Sequence, residues 1–224
     1  VPPTSNANYG WILNMVSKLS SNGVAGFILA NGALSADGTE GEIRRKMIER
    51  GLVEAIVILP RNLFYSTDIS VTLWILNANK KARVVYRNEE EIHYRDREKE
   101  ILFIDMRQMG KPFEKKYVRF TDENIRKVAD TYHNWQREGH TETYTDMPEF
   151  CKSVSMDEEG GIADKGFSLV PSKYIEFVNR DESVDYDTRM KELQSELADI
   201  LRQEAESREV VLNVFKSLGY EIKL

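Results

Sequence analysis

Val53-Glu54-Ala55-Ile56-Val57-Ile58-Leu59-Pro60-Arg61-Asn62-Leu63-Phe64-Tyr65-Ser66-Thr67-Asp68-Ile69-Ser70-Val71-Thr72-Leu73-Trp74-Ile75-Leu76 is the stretch that decides the fold. Two apolar runs of strand length, 53–59 and 71–76, flank a polar connection, and Pro60 stops the first run. Only about ten residues without helical period separate the runs, too few for a normal parallel crossover. The second run is therefore expected to turn back antiparallel to the first.

Upstream, Val24-Ala25-Gly26-Phe27-Ile28-Leu29-Ala30 is another continuous apolar run, expected to be a strand covered on both faces. A helical pattern precedes it over residues 7–19, with Trp11, Leu13, Met15, Val16 and Leu19 at mostly helical spacing and Asn22-Gly23 as the stop. Residues 31–38 read as loop. Thr39 is placed to cap a helix running through Glu42, Ile43, Met47 and Ile48 to Gly51. Strand, helix and strand in this order predict parallel strands joined by a right-handed crossover. The first 80 residues thus read as the end of a mostly parallel α/β sheet that finishes in an antiparallel strand.

Further along, charged residues fill 80–100, which reads as a surface excursion. Ile101-Leu102-Phe103-Ile104-Asp105 reads as a short strand. Thr121 caps a helix to Gln136, with Asp122 and Glu123 at its positive end and Ile125, Val128, Ala129 and Tyr132 as its apolar stripe. Residues 137–166 read mostly as loop. Residues 186–218 contain neither Pro nor Gly and read as one long helix. Its stripe runs through Met190, Leu193, Leu197, Leu201, Ala205, Arg208, Leu212, Phe215 and Leu218.

The 224 residues carry a net charge of −6, which by itself argues against a nucleic-acid partner. The distribution changes that reading. Residues 181–209 hold ten acidic and four basic side chains, so the remainder of the chain sums to zero. No run has the roughly 18 apolar residues a membrane span needs. The single cysteine, Cys151, excludes an internal disulfide and fits a reducing cytoplasm. His93, His133 and His140 are scattered without metal-ligand spacing, so no metal site is expected. No phosphate-binding loop or nucleophile elbow occurs.

Ser5-Asn6-Ala7-Asn8-Tyr9-Gly10-Trp11, Gly41-Glu42-Ile43-Arg44-Arg45, Ile58-Leu59-Pro60 with Leu63-Phe64-Tyr65, and Asp105-Met106-Arg107 resemble the modification subunit of type I restriction–modification systems. The order and spacing match over nearly the whole chain. The resemblance implies an α/β fold: the C-terminal part of a Rossmann-like methyltransferase sheet, last strand antiparallel, followed by a helical C-terminal extension. It implies three regions: 1–80 from the catalytic domain, 81–180 a mixed α/β extension, and 181–224 a long helix for subunit contact. It also implies transfer of a methyl group from S-adenosylmethionine to N6 of adenine in double-stranded DNA. The target base must then leave the stack, and by family motif Phe64 is its stacking face, with Tyr65 beside it. The loop at Leu29-Ala30-Asn31-Gly32 is expected near that site.

The family's glycine-rich cofactor motif and its Asn-Pro-Pro-aromatic tetrad do not occur in this sequence. Val1-Pro2-Pro3-Thr4 resembles the tetrad but lacks the asparagine and the aromatic. The expectation is a segment downstream of the tetrad, with no catalytic or cofactor-binding residues of its own and no activity alone. The implied partners are DNA, a specificity subunit, a restriction subunit and a second modification subunit. The alternative is a non-catalytic interaction module whose last helix is a docking arm. From the residues alone, Phe64 and Tyr65 read as packing under the sheet edge rather than as a ligand platform.

Overall fold

The computed structural model describes residues 1–4, 6–178 and 186–220. Ser5, Asp185 and the boundary expected at residue 180 lie outside them. The chain forms two compact units, residues 1–177 and 178–224.

The first unit is built on a five-stranded mixed sheet. In chain order its strands are β1 (Val24–Ala30), β2 (Val53–Ile58), β3 (Val71–Asn77), β6 (Glu100–Asp105) and β9 (Cys151–Ser155). Their spatial order is β1-β3-β2-β6-β9. β3 is antiparallel to both β1 and β2, so those two run in the same direction with β3 between them. β2 and β6 are parallel, and β9 returns antiparallel to β6. The reversed third strand expected from the short connection is thus present, but the sheet does not finish there. It takes strands from both sides of residue 80.

Side chains alternate between the faces. One face carries Ile56, Trp74, Leu76, Ile101 and Phe103 against Tyr9 and Ile12 of α1 (Asn8–Lys18) and Met47 and Ile48 of α2 (Gly38–Glu49). The other carries Val57, Val71, Leu102 and Ile104 against Trp135, Val128 and Tyr132 of α3 (Asp122–Gln136). All six residues of β2 are buried, as a central strand requires.

Four expectations need correction. Among the described residues, β1 has a strand neighbour on one side only and is not covered on both faces: its residues alternate between exposed and half-buried, and Ile28 is 46% exposed. Its apolar run conceals that only Ala25, Phe27 and Leu29 meet a core. Thr39 is not the cap of α2. The helix begins at Gly38, whose φ of +60° glycine tolerates, and its cap residue Asp37 makes no side-chain cap bond. Residues 31–34 form a 3₁₀ turn within the stretch read as loop. Residues 137–166 include β9 and the short helix α4 (His140–Thr143). β9 is hard to read because Cys151-Lys152-Ser153-Val154-Ser155 has little apolar content and gains its pairing from β6.

The cap at Thr121 is as expected: Asn124 N–H donates to Thr121 Oγ1 at 3.2 Å, and Thr121 N–H donates to Asn124 Oδ1 at 3.1 Å. The charged excursion forms an exposed hairpin, β4 (Arg83–Arg87) and β5 (Glu90–Tyr94). Its flanks are anything but surface. Lys80 and Arg97 are buried, and Arg97 pairs with Glu54 of β2 at 3.1 Å. Glu54 lies where the register of β2 on β3 shifts, and it also accepts from Asn77, Tyr132 and Gln136. One carboxylate thereby fastens β3, α3 and the root of the excursion to the central strand.

The second unit contains α5 (Tyr186–Ser217), 32 residues long. None of its residues is buried, and Leu197, Leu201 and Phe215 of its stripe are exposed. Arg189–Glu192, Arg202–Asp199 and Arg208–Glu204 pair along its polar sides. No helix among the described residues is long and apolar enough to cross a membrane.

Candidate functional site

The carboxyl ends of β1, β2 and β6 lie on one edge of the sheet, where open α/β sheets gather ligands. Three segments project there: 31–37, 59–70 and 106–119.

The middle segment is held at its base. Leu59 N–H donates to Val71 C=O at 2.8 Å, and Ser70 Oγ donates to Leu59 C=O at 2.6 Å. Arg61 Nε donates to Asp68 C=O at 3.1 Å, tying one flank to the other. Between them Phe64 and Thr67 bridge, so Phe64-Tyr65-Ser66-Thr67 forms a tight tip. Leu63 and Phe64 point inward and pack half-buried on the second core face. Tyr65 points outward, 69% exposed, with its ring edge-on to Tyr117 at 4.7 Å. The structure therefore separates the two aromatics expected to act together. Phe64 is half-buried against the core, whereas Tyr65 stands in solvent beside a residue 52 positions later. A pocket of about 270 Å³ lies there, lined by Tyr65, Ser66, Thr67, Asp68, Lys116 and Tyr117 among others.

The 31–37 segment is pinned from below. Tyr9 Oη donates to Ala33 C=O at 2.7 Å. Buried Arg44 donates to Ala36 C=O and Phe167 C=O at 2.7 and 2.8 Å. Asn31 Oδ1 accepts from Thr72 Oγ1 at 2.5 Å, which joins this loop to the start of β3. Tyr9, Gly41, Arg44 and their neighbours thus shape the floor of the edge. After β6, Asp105 accepts from Arg107 at 2.6 Å and turns the chain sharply.

Cys151 is buried, and burial pushes its thiol up, away from the thiolate a nucleophile needs. No cluster of three or more His, Cys, Asp or Glu among the described residues could hold a metal ion. Of the carboxylates at this edge, Asp105 is taken by Arg107 and Asp68 by Arg61, while Glu40 in the first turn of α2 faces Asn6 with one carboxylate oxygen and keeps the other buried without a hydrogen-bond partner among the described residues.

Tyr117 and the strands around it were not singled out from the sequence. The available signal was a basic run with interleaved aromatics, Lys111-Pro112-Phe113-Glu114-Lys115-Lys116-Tyr117-Val118-Arg119.

A mixed sheet with one reversed strand set between two parallel ones, and with long loops at the carboxyl edge, defines a Rossmann-like α/β protein. The profile of the N-6 DNA Methylase family matches residues 1–183, and the chain belongs to that family. It is 36% identical over 222 residues to the type I restriction enzyme HindI methylase subunit of Haemophilus influenzae, covering 98% of this chain and 45% of the relative. It is 34% identical over 220 residues to the MjaIX methylase subunit of Methanocaldococcus jannaschii, covering 98% of this chain and 36% of the relative. The chain thus spans less than half the length of these relatives. Among solved structures, the type I methyltransferase subunit of Streptococcus thermophilus superposes with a TM-score of 0.63 at 24% identity, over 80% of this chain and 32% of that one. That likeness bears out the expected fold class.

Proposed function

We propose that this chain is the C-terminal part of an adenine-N6 DNA methyltransferase subunit of a type I restriction–modification system. The observation that supports the reading is the family match over residues 1–183, and the Phe64 loop follows the carboxyl end of β2, where open α/β sheets gather ligands. In the complete subunit, S-adenosylmethionine supplies the methyl group, and its cradle belongs to the part of the protein beyond this sequence. This chain contributes the far wall. Phe64, half-buried against the core, stacks on the extruded adenine, and Tyr65 flanks it. A base on one aromatic is worth about 1–3 kcal/mol. The reaction places the protein with DNA in the cytoplasm.

The unburied stripe of α5 supports a second role as the contact helix for the specificity subunit, within an assembly that also holds a restriction subunit and a second modification subunit. Coiled-coil or bundle packing would cover that stripe.

The deciding experiment uses the complete subunit with its specificity partner, labelled S-adenosylmethionine and duplex DNA. N6-methyladenine is the expected labelled base. An unlabelled product from a correctly assembled complex would sink the reading and leave an interaction module.

A further inference from the structure

Residues 107–119 carry five cationic side chains and one carboxylate in a chain whose net charge is −6. Most of this segment is a hairpin, β7 (Lys111–Phe113) and β8 (Tyr117–Arg119). The register sets Lys111 opposite Arg119 and Phe113 opposite Tyr117. Like charges directly opposite destabilise a strand pair. No carboxylate among the described residues pairs with Lys111, Lys115, Lys116 or Arg119 within 4 Å. Two of the cations instead lie over rings: Lys116 Nζ is 5.2 Å from the centroid of Tyr117, and the Arg119 guanidinium is 5.1 Å from that of Phe113. By contrast, the nearby Arg61 and Arg107 are already engaged by Asp68 and Asp105.

The hairpin is fixed in place. Val118 N–H donates to Asn62 C=O in the Phe64 loop at 3.0 Å. Tyr117 meets Tyr65 edge-on. At the root, Gly110 holds a φ of +103°, and a Cβ there would come within 2.5 Å of Val118 Cγ1. The unpaired cations therefore stand at a set distance from the aromatic tip rather than on a free arm.

We propose that the β7–β8 hairpin binds the phosphodiester backbone of duplex DNA flanking the extruded base, with Lys111, Lys115, Lys116 and Arg119 as the contacts. The inference rests on the base-extrusion reading of the neighbouring loop. Phosphate contacts fix register and carry no sequence information, which suits a subunit whose target sequence is read elsewhere. An anionic backbone also removes the like-charge cost of the Lys111–Arg119 pair.

The test uses the complete subunit assembled with its specificity partner and a random-sequence duplex of DNA. Affinity is measured over a salt series for the wild type, for the triple variant K111Q/K115Q/K116Q, and for the same three positions changed to Arg. Each lost phosphate contact flattens log K against log salt by about 0.9, so the glutamine triple is expected to be shallower by about 2–3 and the arginine triple unchanged. A glutamine triple with wild-type slope overturns the proposal. So does a triple that loses the specificity subunit while its DNA slope stays, because the surface would then be a protein contact. Formation of N6-methyladenine is scored in parallel. If the wild type makes none yet the triple flattens the slope, the base reading fails and the hairpin assignment stands.

Discussion

Phe64 packs half-buried on the second core at the tip of its loop, and the proposed stacking role asks the rest of its ring to meet the base. Phe64→Leu keeps most of the filling and removes the aromatic face, so methylation by the assembled complex should fall roughly 5- to 100-fold, the loss expected for one base–aromatic stack, while the melting temperature stays near that of the wild type. Equal loss of melting temperature and activity would return Phe64 to a packing role. Glu54 offers a second residue-scale expectation. Glu54→Ala leaves Arg97 buried and unpaired, and breaking such a pair costs about 3–5 kcal/mol, readable as a lowered denaturant midpoint. Burial lowers the Lys80 ammonium to about 8, whereas its ordinary value is 10.5. The unfolded chain then binds more protons than the folded one between these values. The Lys80 contribution therefore favours folding increasingly as pH rises through this window, and is lost as pH falls through 8. Urea titrations between pH 7 and 9.5 should show that rise, and Lys80→Met should flatten it. That Phe64 and Tyr65 lie at a strand end could be read from sequence because Pro60 ends a strand just before them, but the stacking role came only with the family resemblance. Glu54 could not, since its partners Arg97, Tyr132 and Gln136 lie 43 to 82 residues away and no local period links them.

At the scale of elements, what the sequence made legible followed strong periods and caps. Residues 121–136 carried both, and so did the long run of α5. What it hid were elements defined by their neighbours. β9 has little apolar content and exists by pairing with β6. β7 and β8 are three residues each and are fastened through Asn62. β1 looked like a central strand because its apolar run is continuous, yet among the described residues it has β3 on one side only. The α5 stripe carries its own expectation. Ending the complete subunit before Asp185 should reduce co-purification with the specificity subunit while N6-methyladenine formation by mixing at high concentration is partly retained. Unchanged co-purification would count against the contact role.

For the whole molecule, charge is unevenly divided along the chain. The acidic side chains concentrate at 181–209, and the unpaired cations stand beside the aromatic loop. Duplex DNA is therefore expected to approach the carboxyl edge of the sheet and to avoid the second unit's acidic segment. On the proposed reading, in which the cofactor cradle belongs to the rest of the subunit, the 224-residue chain alone should give no calorimetric signal with S-adenosylmethionine at micromolar concentration. A measurable heat of binding would place part of the cofactor site here. β1 has a further consequence for the chain as a particle in solution. Among the described residues no strand pairs with its outer edge, and Val24 and Ile28 are exposed on the face away from α1 and α2. Two such edges attract each other, so static light scattering of the isolated chain should give a negative second virial coefficient, more negative with added sulfate, which strengthens apolar association. Ile28→Lys should shift it toward repulsion. A colloid that is sticky along one rim is best kept dilute, and that rim is where a handling problem would begin.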